Sequence, residues 1–318
     1  MRDYILKRVL VTIPALVIVS MMIFSLVRLF PGDTIVAMAS ESGSFGFTKD
    51  AENQIRAILG IDKPFLTQYF NWIGGLLTGD AGISLWTRQP VTHEIARTFP
   101  ISLELAVFSS VVGIAVALPA GIIAALKRNT FPDLIARFVS LVGLSVPSFW
   151  IATMLLVFFS VQFRWIPPVI YQSFADSPGG NLLQFLFPSL LLGFGLSATT
   201  MRMTRSAMLE VLREDYVRTA RAKGLTERVV IFRHALRNAF IPVVTIIGTQ
   251  LAYLLGGTII IEVIFGLPGL GRLTLEAVTH RDYTQIQANV MLIASITMFV
   301  NLVVDLSYGW LDPRIRYS

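Results

Sequence analysis

Six long apolar runs constrain this chain more than any other feature. They cover residues 9–29, 101–126, 138–163, 182–201, 239–261 and 288–308. A helix needs about 20 mostly apolar residues to cross the hydrocarbon core of a bilayer. Inside the six runs only Arg28, Glu104 and Asp305 carry charge. Strands of a membrane barrel would alternate apolar and polar residues over about ten positions, and these runs do not alternate. The sequence therefore predicts an all-α integral membrane protein with six transmembrane helices, a single transmembrane domain over residues 1–318.

Composition agrees. Of 318 residues, 54% are hydrophobic and only 14% charged, against about a quarter charged in soluble domains. Mean hydropathy is +0.67. The net charge of +6 would suggest nucleic acid in a soluble protein. Here it concentrates where cytoplasmic loops of a membrane protein carry Lys and Arg. Arg2, Lys7 and Arg8 precede the first span, and Lys127, Arg128 and Arg137 join the second to the third. Arg202, Arg205, Arg213, Arg218, Arg221, Lys223, Arg228, Arg233 and Arg237 follow the fourth, with Arg314 and Arg316 in the tail. This distribution predicts a multi-pass protein of a cytoplasmic membrane with both termini cytoplasmic. A rival reading of residues 1–40 is a cleaved signal peptide, with Ala37-Met-Ala39 as the cleavage site. The length of the apolar run, followed by Arg28, Pro31 and Asp33, favours a retained span.

Two connections carry information. The outer segment, residues 30–100, contains a helix start at Asp50. It also contains an amphipathic face of Leu66, Tyr69, Phe70, Ile73, Leu76 and Leu77, at helical spacing. Such a helix lies on the membrane or packs on the bundle, or forms a lip meeting a delivery protein. The inner segment, residues 202–238, is too long for a turn and too charged for a span. Tyr216, Val217, Ala220 and Gly224 make one short stripe, and Val229, Phe232, Leu236 and Phe240 a second. A helix–Gly–helix element joined to the fifth span can take a push from a cytoplasmic partner. A cationic loop on anionic lipid is the plainer alternative.

The motif Glu214-Asp-Tyr-Val-Arg-Thr-Ala-Arg-Ala-Lys-Gly224, then His234-Ala-Leu-Arg-Asn-Ala239 and Pro242, resembles the coupling motif of binding-protein-dependent ABC permeases, in the dipeptide/oligopeptide/nickel branch. Arg218 and Thr219 stand in place of the Glu and first Ala of the general motif, and Arg237 in place of its proline. Leu59-Gly-Ile-Asp-Lys-Pro64, Tyr69-Phe-Asn-Trp72 and Gly79-Asp-Ala-Gly-Ile-Ser84 are similar to the first outer segment of that branch. Phe265-Gly-Leu-Pro-Gly-Leu-Gly-Arg272 and Arg281-Asp-Tyr283 are similar to its last. The resemblance, closest to the first of the paired permease subunits, implies the type I ABC importer permease fold. It implies alternating access and half of a path for di- or oligopeptides. The same machinery for nickel complexes, glutathione or oligosaccharides is the alternative.

The resemblance also implies partners: a second related permease, two ATP-binding cassette ATPase subunits that use ATP–Mg, and an extracytoplasmic solute-binding protein. It implies that Asp215, Tyr216, Val217, Arg218, Ala220, Arg221, Lys223, Gly224, His234, Arg237 and Asn238 form the ATPase-coupling element, with Tyr216, Val217 and Ala220 as the apolar grip. Polar and small residues inside spans are candidates for the translocation path: Ser145, Ser148, Thr249, Gln250, Gly256, Gly257 and Asn301. Helix–helix contact is the competing role for each. Pro147 and Pro242 are kink positions, and Asp305 is expected to find an interfacial partner. Glu262 and Arg272 are expected to pair across the last outer loop.

Enzymatic chemistry has little to stand on. Cysteine is absent, and His93, His234 and His280 are scattered outside the spans. No Gly is followed by Lys, so the phosphate-cradling Gly-x4-Gly-Lys-Ser/Thr loop is missing. The expectation is a non-catalytic subunit that binds no cofactor or metal. An ion-gradient transporter would use buried ionisable residues at span centres, which the runs lack. No potassium-channel filter motif or Arg-rich sensor helix occurs either.

Overall fold

Helices dominate because most residues face either lipid or another helix, and only a helix satisfies its own backbone there. The computed structural model describes residues 2–29, 62–168 and 170–311. The helix start at Asp50, the beginning of the Leu59–Pro64 motif, the Ala37–Ala39 stretch and Arg314 and Arg316 lie outside the described residues. The elements are α1 (Arg2–Leu29), α2 (Phe65–Thr78), α3 (Val91–Leu126), α4 (Phe131–Ser145), α5 (Ser148–Phe163) and α6 (Pro178–Val211). They continue with α7 (Asp215–Ala222), α8 (Glu227–Val229), a π-helical turn (Val230–Ala235), α9 (Leu236–Gly257), α10 (Ile259–Phe265), α11 (Leu270–Thr279) and α12 (Tyr283–Leu311). Among the described residues strand pairing is limited to an isolated bridge between Ile83 and Pro90.

The six expected spans resolve as five continuous helices and one bent pair. The third expected span, 138–163, is not one straight helix: α4 and α5 meet at 93°. Pro147 has no amide hydrogen to donate and disfavours α geometry in the residue before it. Val146 is accordingly extended, at φ −95° and ψ 124°. The fourth span outruns its apolar stretch, so Arg202 and Arg205 sit on helix rather than on a loop. The fifth breaks at Thr258 before the chain resumes as α10.

The central seam is α3 against α6. Ser109, Gly113, Ala117, Gly121 and Ala125 recur every fourth residue along α3, and all are buried. They face Gly193, Leu196, Met201 and Thr204 of α6. In lipid, helices associate through close van der Waals contact rather than a hydrophobic effect, and small residues permit it. A Cβ on Gly121 would lie 2.7 Å from Thr204 Cβ and 2.8 Å from the Met201 carbonyl.

This seam defines two poles. At one end Ala125 meets Ala207 and Met208 of α6, Ala235 of the π turn and Ala239 of α9, and α7 projects from there. Tyr308 of α12 hydrogen-bonds Thr245 in the first half of α9. Asp305 finds its partner in Arg8 of α1, at 2.9 Å. At the other end Ile101 and Leu105 of α3 pack with Phe185, Ile261, Phe265 and Leu267, beside α11.

The expected apolar face of α2 is divided. Tyr69 is buried, its hydroxyl 2.8 Å from Ser20 Oγ. Phe24 of α1 sits edge-on to Phe65 and Tyr69 and beside Trp72. Leu66, Phe70 and Leu77 remain exposed. Helix α2 is thus packed on the bundle through its aromatic residues.

Candidate functional site

At the α7 pole, Glu214 is extended and α7 begins at Asp215, an acid in the first turn where the helix dipole favours it. The helix stops because Gly224 takes φ +77°, a left-handed conformation glycine adopts without a Cβ clash. Val217 is 0% exposed and Ala220 is buried with it, packed on Val230 and on Val211 and Leu212. Val217 and Ala220, two residues of the expected apolar grip, anchor α7 to its own chain. Tyr216, 39% exposed, accepts a hydrogen bond from Asn238 Nδ2 at 2.7 Å, tying α7 to the base of α9.

What α7 presents outward is charge. Arg218 pairs with Asp215 at 3.3 Å, and Arg221 with Glu227 at 2.7 Å. Lys223, Gly224, Arg237 and Asn238 are exposed, while His234 is half-buried in the π turn. Exposed pairs contribute little to stability, so these charges can exchange partners at small cost. The second expected stripe is out of phase. Val229 and Phe232 are exposed, while Val230, Ala235 and Ala239 are buried. A π turn carries more residues than an α turn, which rotates every later side chain away from a 3.6-residue pattern.

A buried clamp underlies this pole. Asp133 of α4, fully buried, accepts from Arg205 Nε at 2.6 Å and Nη2 at 3.0 Å. It also accepts from Arg137 Nη2 at 3.2 Å and the Asn129 amide at 2.9 Å. The sequence places both arginines in cationic connections and does not name their partner. Its signal was a lone acid among basic residues.

At the α11 pole the polar groups are buried and engaged. Glu262, 0% exposed, accepts from Ser102 Oγ at 2.6 Å, Thr258 Oγ1 at 2.8 Å and the Arg272 amide at 2.9 Å. Ser102 Oγ in turn accepts from the Leu270 amide at 2.8 Å. Two open amides in the first turn of α11 are thereby satisfied. The expected Glu262–Arg272 pairing is corrected: the contact runs through the Arg272 backbone, and its guanidinium pairs with Glu276 at 2.8 Å. A Cβ on Gly269 would lie 2.5 Å from the Glu262 carboxyl, so a side chain there would displace this contact.

Two motifs far apart in sequence meet here. Asp282, buried, caps α12 by accepting from the Gln285 amide at 3.2 Å, and accepts from Ser84 Oγ and the Trp86 amide. Trp86 stacks on His280 at 3.6 Å between centroids. Gln285, Asn289 and Thr274 extend the buried network by hydrogen bonds of 2.8 and 3.1 Å. Nearby, burial first and then the Glu104 carboxylate push the Tyr171 phenol above its ordinary range.

The path candidates scatter. Ser145 and Ser148 flank the α4–α5 elbow and are exposed, as are Thr249 and Asn301. Gln250 Oε1 accepts from Thr200 at 3.0 Å, a helix–helix contact. Gly256 approaches Ile293, and Gly257 ends α9. None of the seven lines the cavity of about 230 Å³ at the α11 pole. Among the described residues no group of three or more His, Asp or Glu gathers to hold a metal ion.

Comparison with known proteins bears on this arrangement. Residues 117–317 match the model of the binding-protein-dependent transport system inner membrane component. Residues 1–106 match that of the N-terminal part of such membrane components. The dipeptide transport system permease protein of Escherichia coli strain K12 is 41% identical over 341 residues, covering 100% of both chains. The glutathione transport system permease protein of the same strain is 41% identical over 320 residues, again covering 100% of both. Among solved structures, an inward-facing MetNI methionine ABC transporter superimposes with a TM-score of 0.54 at 17% identity, covering 69% of this chain and 96% of that one. An amino acid ABC transporter gives 0.51 at 16%, covering 68% and 92%. At those identities the likeness is one of fold.

Proposed function

The chain belongs to the binding-protein-dependent transport system inner membrane components, as a permease subunit of an ABC importer, and from that premise we propose that its cargo is a di- or oligopeptide. The observation that carries the cargo is full-length similarity, at 41% identity, to permeases named for a dipeptide and for glutathione. Glutathione, itself a short peptide, is the second reading on the same ground. Family membership sets aside an ion-gradient transporter.

An importer of this class works with ATPase and solute-binding partners. We assign two ATPase subunits to the α7 pole, and a second related permease and an external binding protein to the rest of the assembly. Lys and Arg density supports a cytoplasmic α7 pole with both termini on that side. In this mechanism Asp215, Tyr216, Arg218, Arg221 and Lys223 meet the ATPase and set register. Val217, Ala220 and the Tyr216–Asn238 bond carry the displacement into α9. Gly224, His234, Arg237 and Asn238 complete the lever. Packed helices then switch between discrete arrangements, as tight interfaces do. Thr249, Gln250, Gly256, Gly257, Asn301, Ser145 and Ser148 remain the proposed path surface. The ATP–Mg belongs to the partner subunits.

The test is ATPase stimulation of the purified native complex by its loaded binding protein. Di- and oligopeptides should stimulate hydrolysis several-fold. Stimulation by oligosaccharides or nickel complexes, with none by peptides, overturns the peptide reading.

A further inference from the structure

The cavity at the α11 pole is lined by four charged side chains, of which Arg272 and Glu276 pair with each other. Its lining includes Glu94 and Arg97 of α3, Arg272 and Glu276 of α11, and Pro268 and Gly269 between α10 and α11. Glu94 Oε2 is buried yet has no hydrogen-bond partner among the described residues. Arg97, one turn further along α3, has neither an ion pair nor a side-chain hydrogen bond among them. Glu94 as a whole is half-buried and Arg97 is exposed, so both charged groups border the open side of the cavity. Two opposite charges that share a cavity without bonding each other leave room for a ligand that carries both.

We propose that this cavity is a binding site for a small zwitterion, the free-ended short peptide of the preceding section, and the proposal rests on that peptide reading. Glu94 takes the ammonium group. Arg97 takes the carboxylate, with the Arg272–Glu276 pair beside it. Arginine suits a carboxylate because its planar fork can donate twice. Pro268, Gly269 and Leu273 supply the less polar wall. The volume, about 230 Å³, is below the usual range for drug-sized ligands, and fits a dipeptide rather than a long chain. Gly269 links the cavity to the buried network, since the Glu262 carboxyl lies directly behind it. An occupant pressing on Pro268 and Gly269 therefore bears on the packing of α10 against α11.

The probe is dialanine, titrated into the purified native complex without binding protein, beside N-acetyl-dialanine and dialanine amide. Binding of dialanine should weaken at least tenfold on N-acetylation and at least tenfold in Glu94→Gln. The two losses should not add, because both remove the same contact. Arg97→Gln should match dialanine amide in the same way. Folding of each variant is checked by its melting temperature and by assembly of the complex. Equal binding of the acetylated and free peptides, or unchanged affinity in both variants, overturns the site. So does weaker docking of the loaded binding protein with unchanged dialanine binding, which would make this a protein contact. Absence of dialanine binding in a complex whose ATPase responds to peptide-loaded binding protein overturns the site and leaves the peptide reading standing. ATPase stimulation by sugars alone overturns that reading instead.

Discussion

The two poles of the bundle treat charge in opposite ways. At the α7 pole the ions of the coupling element stand in water, paired loosely with near neighbours such as Asp215 and Glu227. At the α11 pole Glu262 and Asp282 are buried, and each accepts several hydrogen bonds from different segments of the chain. A solvated charge can change partner cheaply. A buried one that loses its donors strands them at a cost of about 1–3 kcal/mol each. The first arrangement suits a surface that must engage a moving subunit, and the second suits a frame that holds its shape.

The largest effect should come from breaking the frame. Glu262→Ala removes the acceptor for Ser102, Thr258 and the Arg272 amide, and loss of stability of about 3 kcal/mol or more is expected. Limited proteolysis should then cut between α10 and α11 in the variant and spare that turn in the parent. Glu262→Gln, which retains an acceptor oxygen, should lose less. If Glu262→Ala melts like the parent, the contrast between the poles is void.

The Asp133 clamp sharpens the comparison, because it is a buried charge at the exposed pole. Breaking a buried pair costs about 3–5 kcal/mol. The Arg205 side chain is 20% accessible, so Asp133→Asn should sit near the low end of that range, about 3 kcal/mol. The shift is read as the melting temperature of the detergent-solubilised protein. An effect as small as that of an exposed pair would mean the clamp is solvated.

Gly224→Val should act on coupling instead. Nothing lies within 4 Å of a Cβ built there, so the penalty is backbone strain at φ +77°, about 1–2 kcal/mol. Membrane insertion and ATP hydrolysis should persist while uptake falls. Normal uptake would remove the coupling role from this turn. Tyr216→Phe should have the smallest effect. It deletes one exposed hydrogen bond to Asn238, under about 1 kcal/mol, and leaves Val217 and Ala220 packed. A modest loss of transport with an unchanged melting temperature is expected.

Much of the architecture was legible because lipid imposes so simple a rule. The apolar runs marked the spans, and the glycine at position 224 marked the end of α7. Phase was harder to read. Val229, Phe232, Leu236 and Phe240 share helical spacing, yet the first two are exposed and the last two half-buried. A π turn at Val230–Ala235, which nothing in the local composition announces, shifts the later pair in phase. Pro147 marked a kink in the 138–163 run, but not its size: the chain turns there through 93°. The four-residue recurrence of Gly113, Ala117, Gly121 and Ala125 was visible in the letters. Its meaning depended on a facing helix with equally small residues.

Burial of apolar surface in lipid is decided residue by residue, so the sequence alone determined the helical class, the crossings and the basic pole. Polar pairing is decided between distant segments. Ser84 and Asp282 lie in separate segments, as do Ser102 and Glu262, and Asp133 and Arg205. Only the packed bundle brings such groups within hydrogen-bonding distance, because a hydrogen bond depends on angle and separation, which composition does not encode. For the same reason the tertiary structure, and not the letters, separated the charges that hold the frame from those left open to a partner.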